Sequence, residues 1–324
     1  MSLFGDLNLL YIAEFADKDP KKVIIESPTS GITPYYHHEI KAILNTIFKN
    51  VTATSKIDFL IQEIKNYDYV FTLLNQGKYR NSEVLVSAIC EYFKVPYLGG
   101  PPNIRALAED KHLTKLLANY LGITTPKWQV IEKGFIPKNP EFDGPFFIKP
   151  RMAAASSGID HNSIQSTWES TLSIVNNLHL KNFDVIVEEF IPGKNVTFPM
   201  IGGFENDFFE CIENKSSIRG NIITNAQKRK TIGGLKRDIY SHVLSDQIKK
   251  YSKRIYNESQ PLDYARFDFR VNEKEGVPYL IEFNVCSNLG SHSTIVQSAK
   301  SLGISQKNLI ERIIRYSLNR QHFS

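Results

Sequence analysis

The chain has 324 residues, of which 42% are hydrophobic and 23% are charged, and its formal net charge at pH 7 is +5. A chain of this length is too long for one ordinary hydrophobic core and predicts two or three domains. The small positive charge permits an anionic small-molecule ligand, but it is too weak to favour a nucleic-acid partner, so we expect none.

Two features of the sequence bear on its compartment. The opening residues, MSLFGDLNLLYIAEFADKDP, lack a basic segment followed by a small-residue cleavage site, and no apolar run has the length of a membrane span. Cys90, Cys211 and Cys286 are far apart and lack metal-ligand spacing, which is typical of reduced thiols. We therefore expect a cytoplasmic protein without a membrane partner.

The first hundred residues predict alternating strands and helices. The predicted elements are strand 21–27 (KKVIIES), helix 37–48 (HHEIKAILNTIF), strand 68–74 (DYVFTLL), helix 81–93 (NSEVLVSAICEYF) and strand 95–100 (VPYLGG). Such alternation predicts a small parallel sheet with crossover helices. Gly-Gly-Pro-Pro at residues 99–102 then interrupts the pattern and marks a domain boundary.

The middle of the chain predicts one helix and two strands. Residues 103–122 (NIRALAEDKHLTKLLANYLG) have helical spacing and end at Gly122. The short apolar runs 144–150 (GPFFIKP) and 184–193 (DVIVEEFIPG) are both ended by Gly or Pro, which is typical of buried strands.

Two strands near the carboxyl end predict a hairpin with a polar face. They are residues 264–271 (YARFDFRV) and 278–285 (PYLIEFNV), joined by a polar turn. Alternation with period two places Asp268 on one face of the first strand and Glu282 and Asn284, together with Leu280, on one face of the second. Three oxygen donors on rigid strands suit Mg²⁺, although a solvated face of an antiparallel sheet is the alternative.

The hairpin also carries a family resemblance. Its Arg-Phe-Asp-Phe, fourteen residues before Glu-x-Asn, resembles the metal-binding core of the ATP-grasp superfamily, and the flanking sequence resembles the D-alanine–D-alanine ligase family. The resemblance runs from about residue 69 to the GSHS loop at 290–293, about two-thirds of the chain. Its other segments are 95–128, FFIKP at 146–150, IVEEFIPGKNVTF at 186–198 and NLGSHS at 288–293.

This resemblance implies an α/β fold whose ATP-binding part is α+β. It implies an N-terminal parallel-sheet pre-ATP-grasp domain over residues 1–100, a central lid domain over 101–185, and a C-terminal ATP and metal domain over 186–324. The cofactors it implies are ATP and Mg²⁺, with two metal ions and with Mn²⁺ able to substitute. Relatives in the family are often dimers, so a homodimer is also expected by analogy.

The resemblance implies roles for specific residues. Arg266 would stabilise developing charge, and Asp268, Glu282 and Asn284 would hold the metal ions. The residues implied to bind ATP are Lys111, Lys149, Ser156, Ser157, Glu188, Glu189, Ile191, Asn195 and Lys228. Lys230 is the alternative to Lys228 within the basic segment 225–234. Each role also has a purely structural alternative: the lysines could be solvated, the serines could cap a turn, and Arg266 could pair with Glu282.

The implied substrate loop contains Asn288, Ser291 and Ser293, and we expect Ser293 to be catalytic as well. Here the family has a glycine at the position of Asn288. The family also places serine at the position of Ala155 and glutamate at the position of Asn195. These departures predict a nucleotide site that resembles the family and a substrate site that does not.

The first-substrate region departs further from the family pattern. The family has a His-Gly pair where this chain has Asn75-Gln76, and a glutamate after the first strand that holds a substrate ammonium. The corresponding loop is assigned to residues 26–38, where Glu26 lies too early to match. Tyr35, Tyr36, His37 and His38 could line a replacement pocket, although a histidine at a helix start is usually a cap or surface residue.

These features predict an ATP-dependent carboxylate–amine ligase that acts on amino-acid-like substrates through an acylphosphate and releases ADP and phosphate. Its substrate pocket would differ from that of its relatives. A genuine D-alanine–D-alanine ligase of cell-wall synthesis is the first alternative. A non-catalytic nucleotide-binding protein and an ATP-grasp kinase are further alternatives.

Overall fold

The computed structural model describes residues 4, 6–74, 83–135, 137–153 and 155–321. Asn75-Gln76, the start of the predicted 81–93 helix and Ala154 lie outside these residues. Among the described residues there are three sheets, and each lies in a different part of the sequence. None of the described helices has the length and apolar character needed to cross a membrane.

The N-terminal sheet is parallel and has the strand order β2-β1-β3. Its strands are β1 (Asn8–Ile12), β2 (Asn50–Thr54) and β3 (Tyr69–Thr72). Its helices are α1 (Pro20–Glu26), α2 (Thr33–Ile47), α3 (Ile57–Glu63) and α4 (Val84–Phe93). The predicted parallel sheet with crossover helices is confirmed.

The predicted first strand is wrong, because residues 20–26 form helix α1. Pro20 occupies the first turn, where its missing N–H costs nothing, and the Asp19 side chain accepts from the Lys21 N–H at 2.8 Å. Ile25 is 80% exposed, so this β-branched run lies on the surface. The true first strand is β1, whose last four residues are fully buried.

Two further predicted elements differ in the structure. Within the described residues, the predicted strand 95–100 makes only one bridge, between Tyr97 and Val70. The predicted 103–122 helix is two helices, α5 (Pro102–Glu109) and α6 (Lys111–Tyr120). The break lies at Asp110, whose extended backbone lets its carboxylate accept from the His112 N–H at 2.9 Å and cap α6.

The second sheet is antiparallel, with the order β4-β7-β5-β6. Its strands are β4 (Trp128–Ile131), β5 (Phe146–Pro150), β6 (Ile164–Gln165) and β7 (Val185–Glu189), and helix α7 (Trp168–Leu180) packs beside them. Ile148, Val175 and Val187 are fully buried in the core between the helix and the sheet. Both strands predicted in this region are confirmed.

The third sheet is antiparallel, with the order β10-β9-β8-β11-β12. Its strands are β8 (Lys194–Ile201), β9 (Ile212–Ser216), β10 (Leu235–Ile239), β11 (Tyr264–Asn272) and β12 (Val277–Asn284). The helices in this part are α8 (Asn225–Lys228), α9 (Ser245–Glu258), α10 (Thr294–Ser301) and α11 (Gln306–Arg320). The predicted hairpin corresponds to β11 and β12.

A bulge in β12 changes the predicted face of one residue. Asp268 pairs with Glu282 and Phe269 pairs with Leu280, so Ile281 has no partner on β11. Leu280 is consequently buried in the hydrophobic core, whereas Ile281 and Glu282 both line a cavity. The prediction that Leu280 shares a face with Glu282 is wrong because the bulge interrupts the alternation.

Candidate active site

A large cavity of about 280 Å³ is lined by residues from all three parts of the described chain. Glu14 follows β1, Lys149 lies on β5 and Asp268 lies on β11. The cavity therefore brings side chains that are distant in sequence to one ligand-sized space, as is common where domains meet.

Asp268 and Glu282 lie directly opposite each other on β11 and β12, and both line the cavity. The Asp268 carboxylate accepts from Arg266 Nη2 at 2.8 Å and from the Thr197 hydroxyl at 2.7 Å. Asn284, opposite Arg266, donates its side-chain amide to Asp268 at 3.2 Å. The structure thus brings the three predicted oxygen donors together, with Arg266 paired to Asp268 rather than to Glu282.

Glu282 is held in its ionised form. Burial alone raises the pKa of this carboxyl, but the positive charges of Lys111, Lys149 and Lys228 outweigh burial and hold the pKa at about 2. Lys111 Nζ lies 3.5 Å from Glu282 Oε2 and donates to the Ala153 carbonyl at 2.9 Å. Lys111 therefore reaches the Glu282 carboxylate while also bonded to the backbone of Ala153.

This donor set suits a hard divalent cation. Asp268, Glu282 and Asn284 offer carboxylate and amide oxygens on two paired strands, and such oxygens are the ligands that Mg²⁺ prefers. The described residues contain no group of three or more His, Cys, Asp or Glu side chains placed to enclose a metal. Mg²⁺ commonly takes only one or two carboxylates when a nucleotide phosphate completes its coordination, so the residues fit that arrangement.

Glu188 lies in a buried charge cluster. Its Oε1 is 2.9 Å from Lys149 Nζ and 3.1 Å from Lys115 Nζ, and all three side chains are no more than 2% exposed. Burial lowers the pKa of Lys115 to about 8, while Glu188 opposes that shift. The sequence analysis missed Lys115, although it follows Lys111 by one helical turn and so lies on the same face of α6.

The basic segment resolves into one cavity lysine and one surface lysine. Lys228, at the end of α8, lines the cavity, whereas Lys230 is exposed and lies outside it. Burial, assisted by the nearby charge of Arg266, lowers the pKa of Lys228 to about 8, while Glu282 and Asp268 oppose the shift. Of the two alternatives, the geometry favours Lys228.

Residues 155–158 approach the cavity through a strained turn. Ala155 and Ser156 both line the cavity and both have left-handed backbones, with φ of 55° and 59°. The Ala155 carbonyl accepts from Asn225 Nδ2 at 2.8 Å, which joins the turn to α8. Ser157 follows the turn but does not line the cavity.

A second arginine, Arg270 on β11, contacts the segment that follows β7. It was not among the site residues predicted from the sequence. Glu189, Ile191 and Asn195, which were predicted to bind ATP, line the cavity. Arg270 lines it as well. Arg270 is buried, and it donates to the Ile191 carbonyl at 3.0 Å and to Asn195 Oδ1 at 2.9 Å. Burial lowers the pKa of Arg270 to about 10. The sequence shows Arg270 only as one more polar residue of an alternating strand.

The predicted substrate loop divides into cavity and surface residues. Asn288 and Ser293 line the cavity, but Ser291 is exposed and lies outside it. The Ser293 hydroxyl accepts from the Val296 N–H at 3.2 Å and caps α10. The Ser291 N–H donates to Glu39 Oε2 at 3.3 Å, which connects this loop to α2.

A carboxylate lines the N-terminal wall of the cavity, but it belongs to Glu14 and not to Glu26. Glu14 lies two residues after β1, and its Oε2 is buried without a hydrogen-bond partner among the described residues. Burial raises the pKa of Glu14. Glu26 is exposed at the end of α1. The sequence analysis missed Glu14 because it assigned the first strand to residues 21–27.

The aromatic residues at the start of α2 also divide into two pairs. Tyr36 and His37 are buried and line the cavity, whereas Tyr35 and His38 are exposed and do not. Tyr35 and His38 are three residues apart on the helix and therefore share one face, which is the exposed one. Tyr36 and His37 therefore remain candidates for the pocket wall.

Comparison with known proteins gives sequence relatives over most of the chain. The family described as "D-ala D-ala ligase C-terminus" matches residues 117–315. D-alanine–D-alanine ligase B of Clostridium perfringens is 29% identical over 280 residues, covering 84% of this chain and 87% of that protein. D-alanine–D-alanine ligase of Aquifex aeolicus is 29% identical over 249 residues, covering 76% and 81% respectively.

A solved structure matches nearly the whole fold. It is the D-alanine–D-alanine ligase of Bacillus anthracis complexed with ATP, which aligns with a TM-score of 0.76 at 21% identity over 97% of this chain and 98% of that one. The predicted ATP-grasp architecture with a parallel N-terminal sheet is confirmed by this likeness. The matched family covers more than half of the sequence and includes β11, β12 and the loop that follows. The chain belongs to the D-alanine–D-alanine ligase family.

Proposed function

We propose that the protein is an ATP-dependent carboxylate–amine ligase that joins two amino-acid-like substrates and releases ADP and phosphate. The observation that carries this proposal is the meeting of Asp268 and Glu282 with Arg266, Lys149 and Lys228 around one cavity. Paired carboxylates beside several cations suit a triphosphate with its metal, and membership of the ligase family favours amide-bond formation.

The reaction would begin with transfer of a phosphoryl group. A substrate carboxylate oxygen attacks the γ-phosphorus of ATP, the bond from that phosphorus to the bridging oxygen breaks, and ADP leaves. Lys149 and Lys228 would neutralise charge on the phosphates. Asp268, Glu282 and Asn284 would hold Mg²⁺, which would neutralise phosphate charge when it is bound.

The second step would form the amide. An amine attacks the acyl carbon of the acylphosphate, the carbon–oxygen bond to phosphate breaks, and the amine nitrogen loses a proton. Arg266 would stabilise the negative charge of the tetrahedral stage. Glu14 is placed to bind the ammonium group of the carboxylate substrate, because its buried oxygen otherwise lacks a partner.

The cavity must also exclude water, because an acylphosphate hydrolyses. Three segments meet over it: the Arg229 carbonyl accepts from the Ile32 N–H at 3.0 Å, and Asn225 donates to the Ala155 carbonyl at 2.8 Å. These contacts support a role for α8 as a cover that joins the N-terminal part to residues 155–158.

A phosphate-release assay over pairs of amino acids of both configurations, with ATP and Mg²⁺, tests the proposal. We expect release with at least one pair, and a loss of about 100-fold or more in Glu282→Gln because the metal site loses a charge. Glu275→Gln, in the exposed turn before β12, is the matched control and should retain activity. Equal activity of Glu282→Gln and Glu275→Gln would contradict the proposed site.

The same assay separates the alternatives. Phosphate release with D-alanine as the sole amino acid would identify D-alanine–D-alanine ligase activity, for which the relatives are named. Phosphate recovered on an acceptor hydroxyl instead of in solution would identify a kinase. ATP binding without turnover on any pair would identify a nucleotide-binding protein.

A further inference from the structure

Two histidines from distant parts of the chain line the same end of the cavity. His37 lies on α2, and His292 lies in the loop before α10. Both imidazoles border the Tyr36 ring, with centroid distances of 5.0 Å for His37 and 6.1 Å for His292. Glu14 lines the cavity as well, and the residue after it, Phe15, contacts His37 through its N–H.

The surroundings of His37 define where its proton lies. The Phe15 N–H donates to His37 Nδ1 at 3.2 Å, so Nδ1 is an acceptor. Burial lowers the pKa of His37 to about 4, and the ring is therefore neutral at pH 7. A neutral imidazole carries one proton, so Nε2 is the donor. In the described part of the protein, no residue hydrogen-bonds to His37 Nε2.

His292 is the complementary tautomer. The Gly290 N–H donates to Asn288 Oδ1 at 2.7 Å, which orients the Asn288 amide so that its nitrogen faces His292 Nε2 at 3.3 Å. His292 Nε2 consequently accepts, and Nδ1 carries the proton. Burial, assisted by the charges of Lys230 and Arg237, lowers the pKa of His292 to about 4. Nδ1 likewise lacks a partner among the described residues.

We propose that His37 Nε2–H and His292 Nδ1–H bind an uncharged oxygen acceptor on the side chain of the carboxylate substrate. This inference rests on the proposed ligase function. It assigns the substrate to amino acids with a hydroxyl or carboxamide side chain, whose ammonium group would meet Glu14.

The physical basis is the cost of burying a donor without an acceptor. An aliphatic side chain in this space would leave the two N–H groups desolvated and unpaired, which is unfavourable for each group. A hydroxyl or carboxamide oxygen would satisfy at least one of them. A second carboxylate on the substrate would repel Glu14, which lines the same cavity, whereas an uncharged oxygen would not.

Substrate pairs that differ only in the oxygen test the inference. In the phosphate-release assay we compare serine with alanine, threonine with valine and asparagine with leucine, in both configurations. We expect kcat/KM to be at least about tenfold higher for the oxygen-bearing member of a pair. Equal kcat/KM values within every pair would overturn the inference while leaving the ligase function intact.

Two substitutions assign the preference to the histidines. His37→Asn keeps an acceptor for the Phe15 N–H at the position of Nδ1 but has no atom at the position of Nε2, and His292→Gln keeps an acceptor for Asn288 but has no donor at the position of Nδ1. Each should bring the ratio of kcat/KM between the oxygen-bearing and the aliphatic member of a pair closer to one. His38→Asn, exposed on the same helix, is the control for His37→Asn. A preference that survives both substitutions would overturn the assignment.

A binding measurement decides the case in which no pair is turned over, which would contradict the proposed ligase function. The thermal midpoint is then measured with Mg²⁺, β,γ-imido-ATP and each amino acid. A larger stabilisation by serine than by alanine in the native protein, lost in His37→Asn, supports the inference. Equal stabilisation by serine and alanine overturns it.

Discussion

At the scale of single residues, similar side chains occupy very different environments. Lys115 and Lys149 share the carboxylate of Glu188 in the protein interior, whereas Lys230 is solvated. Lys228 lies between these extremes, because it lines the cavity but has no carboxylate within salt-bridge distance among the described residues. A ligand phosphate would supply the missing negative charge.

The lowered pKa of Lys228 predicts a pH dependence for ATP use. Lys228 is charged below a pH of about 8 and loses its charge as pH rises through that value. We therefore expect kcat/KM for ATP to fall at alkaline pH, by roughly tenfold if one charge-assisted phosphate contact is lost. Rates measured from pH 6.5 to 9.5 check this.

Lys228→Arg should move the decline of kcat/KM to higher pH, because arginine keeps its charge throughout the range. Lys230→Arg is the matched control and should leave the profile unchanged. Identical profiles for the native protein and Lys228→Arg would show that another group causes any decline.

At the scale of elements, close backbone contacts hold α8 over the cavity. The Gly31 backbone has a φ of 57°, and a Cβ at this position would lie 2.0 Å from the Arg229 carbonyl oxygen. The neighbouring Ile32 N–H donates to that same oxygen at 3.0 Å. Glycine at position 31 therefore allows the 27–33 loop to contact the end of α8.

We expect Gly31→Ala to loosen α8 from the N-terminal loop. Lys228, Arg229 and Lys230 are trypsin sites, so cleavage between residues 228 and 231 should be roughly tenfold faster in the variant, corresponding to about 1.4 kcal/mol of lost local stability. The measurement is the rate of limited tryptic cleavage at this segment under native conditions.

Gly303→Ala is the control for backbone strain alone. Gly303 has a φ of 72°, but a Cβ there would have no neighbour within 4 Å among the described atoms. The rate of cleavage between residues 228 and 231 in Gly303→Ala should match that of the native protein. A similar acceleration in both variants would mean that the contact with Arg229 is irrelevant.

At the scale of the whole molecule, helix α11 contacts both the N-terminal part and the C-terminal part. Asp263, fully buried before β11, pairs with Arg320 of α11 and accepts from the Gly99 N–H at 2.6 Å. Ser317 on the same helix donates to the Tyr97 carbonyl at 3.0 Å. The segment after β3 is thus held by the end of the described chain.

Breaking this buried ion pair should destabilise the protein. Asp263→Asn leaves the Arg320 charge without its partner, and we expect the free energy of unfolding to fall by about 3–5 kcal/mol. Asp207→Asn, which removes an exposed carboxylate 3.5 Å from Lys253, should cost at most about 1 kcal/mol. Urea denaturation measures both, and equal losses would contradict the assigned role of Asp263.

We propose that the chain divides into the three predicted domains, with one boundary moved. The three sheets support this division, since each falls mainly within one of the ranges 1–100, 101–185 and 186–324. However, β7 spans Val185–Glu189 and pairs with β4 and β5, so a boundary at residue 185 would cut a strand from its sheet. We place this boundary after Glu189.

The errors of the sequence analysis have physical causes that can be named. The β-branched residues at 23–25 favour a strand, but Pro20 and the Asp19 cap start a helix at the surface. The capping contacts therefore outweigh the strand propensity of these residues. The 103–122 pattern is helical throughout, but Asp110 also pairs with Arg151 at 2.7 Å, forty-one residues away. The helical pattern of residues 103–122 gives no information about Arg151, so it could not predict the break at Asp110.

The α/β class, the hairpin and the convergence of Asp268, Glu282 and Asn284 could be predicted from the sequence, because two neighbouring strands joined by a short turn pair with each other, although the bulge at Ile281 could not. The burial of Lys115, the position of Glu14 at the cavity and the hydrogen-bond partners of His37 and His292 required the tertiary structure. The reason is that burial and protonation depend on groups that are distant in sequence. Lys115 is buried with Glu188, and His292 borders the ring of Tyr36.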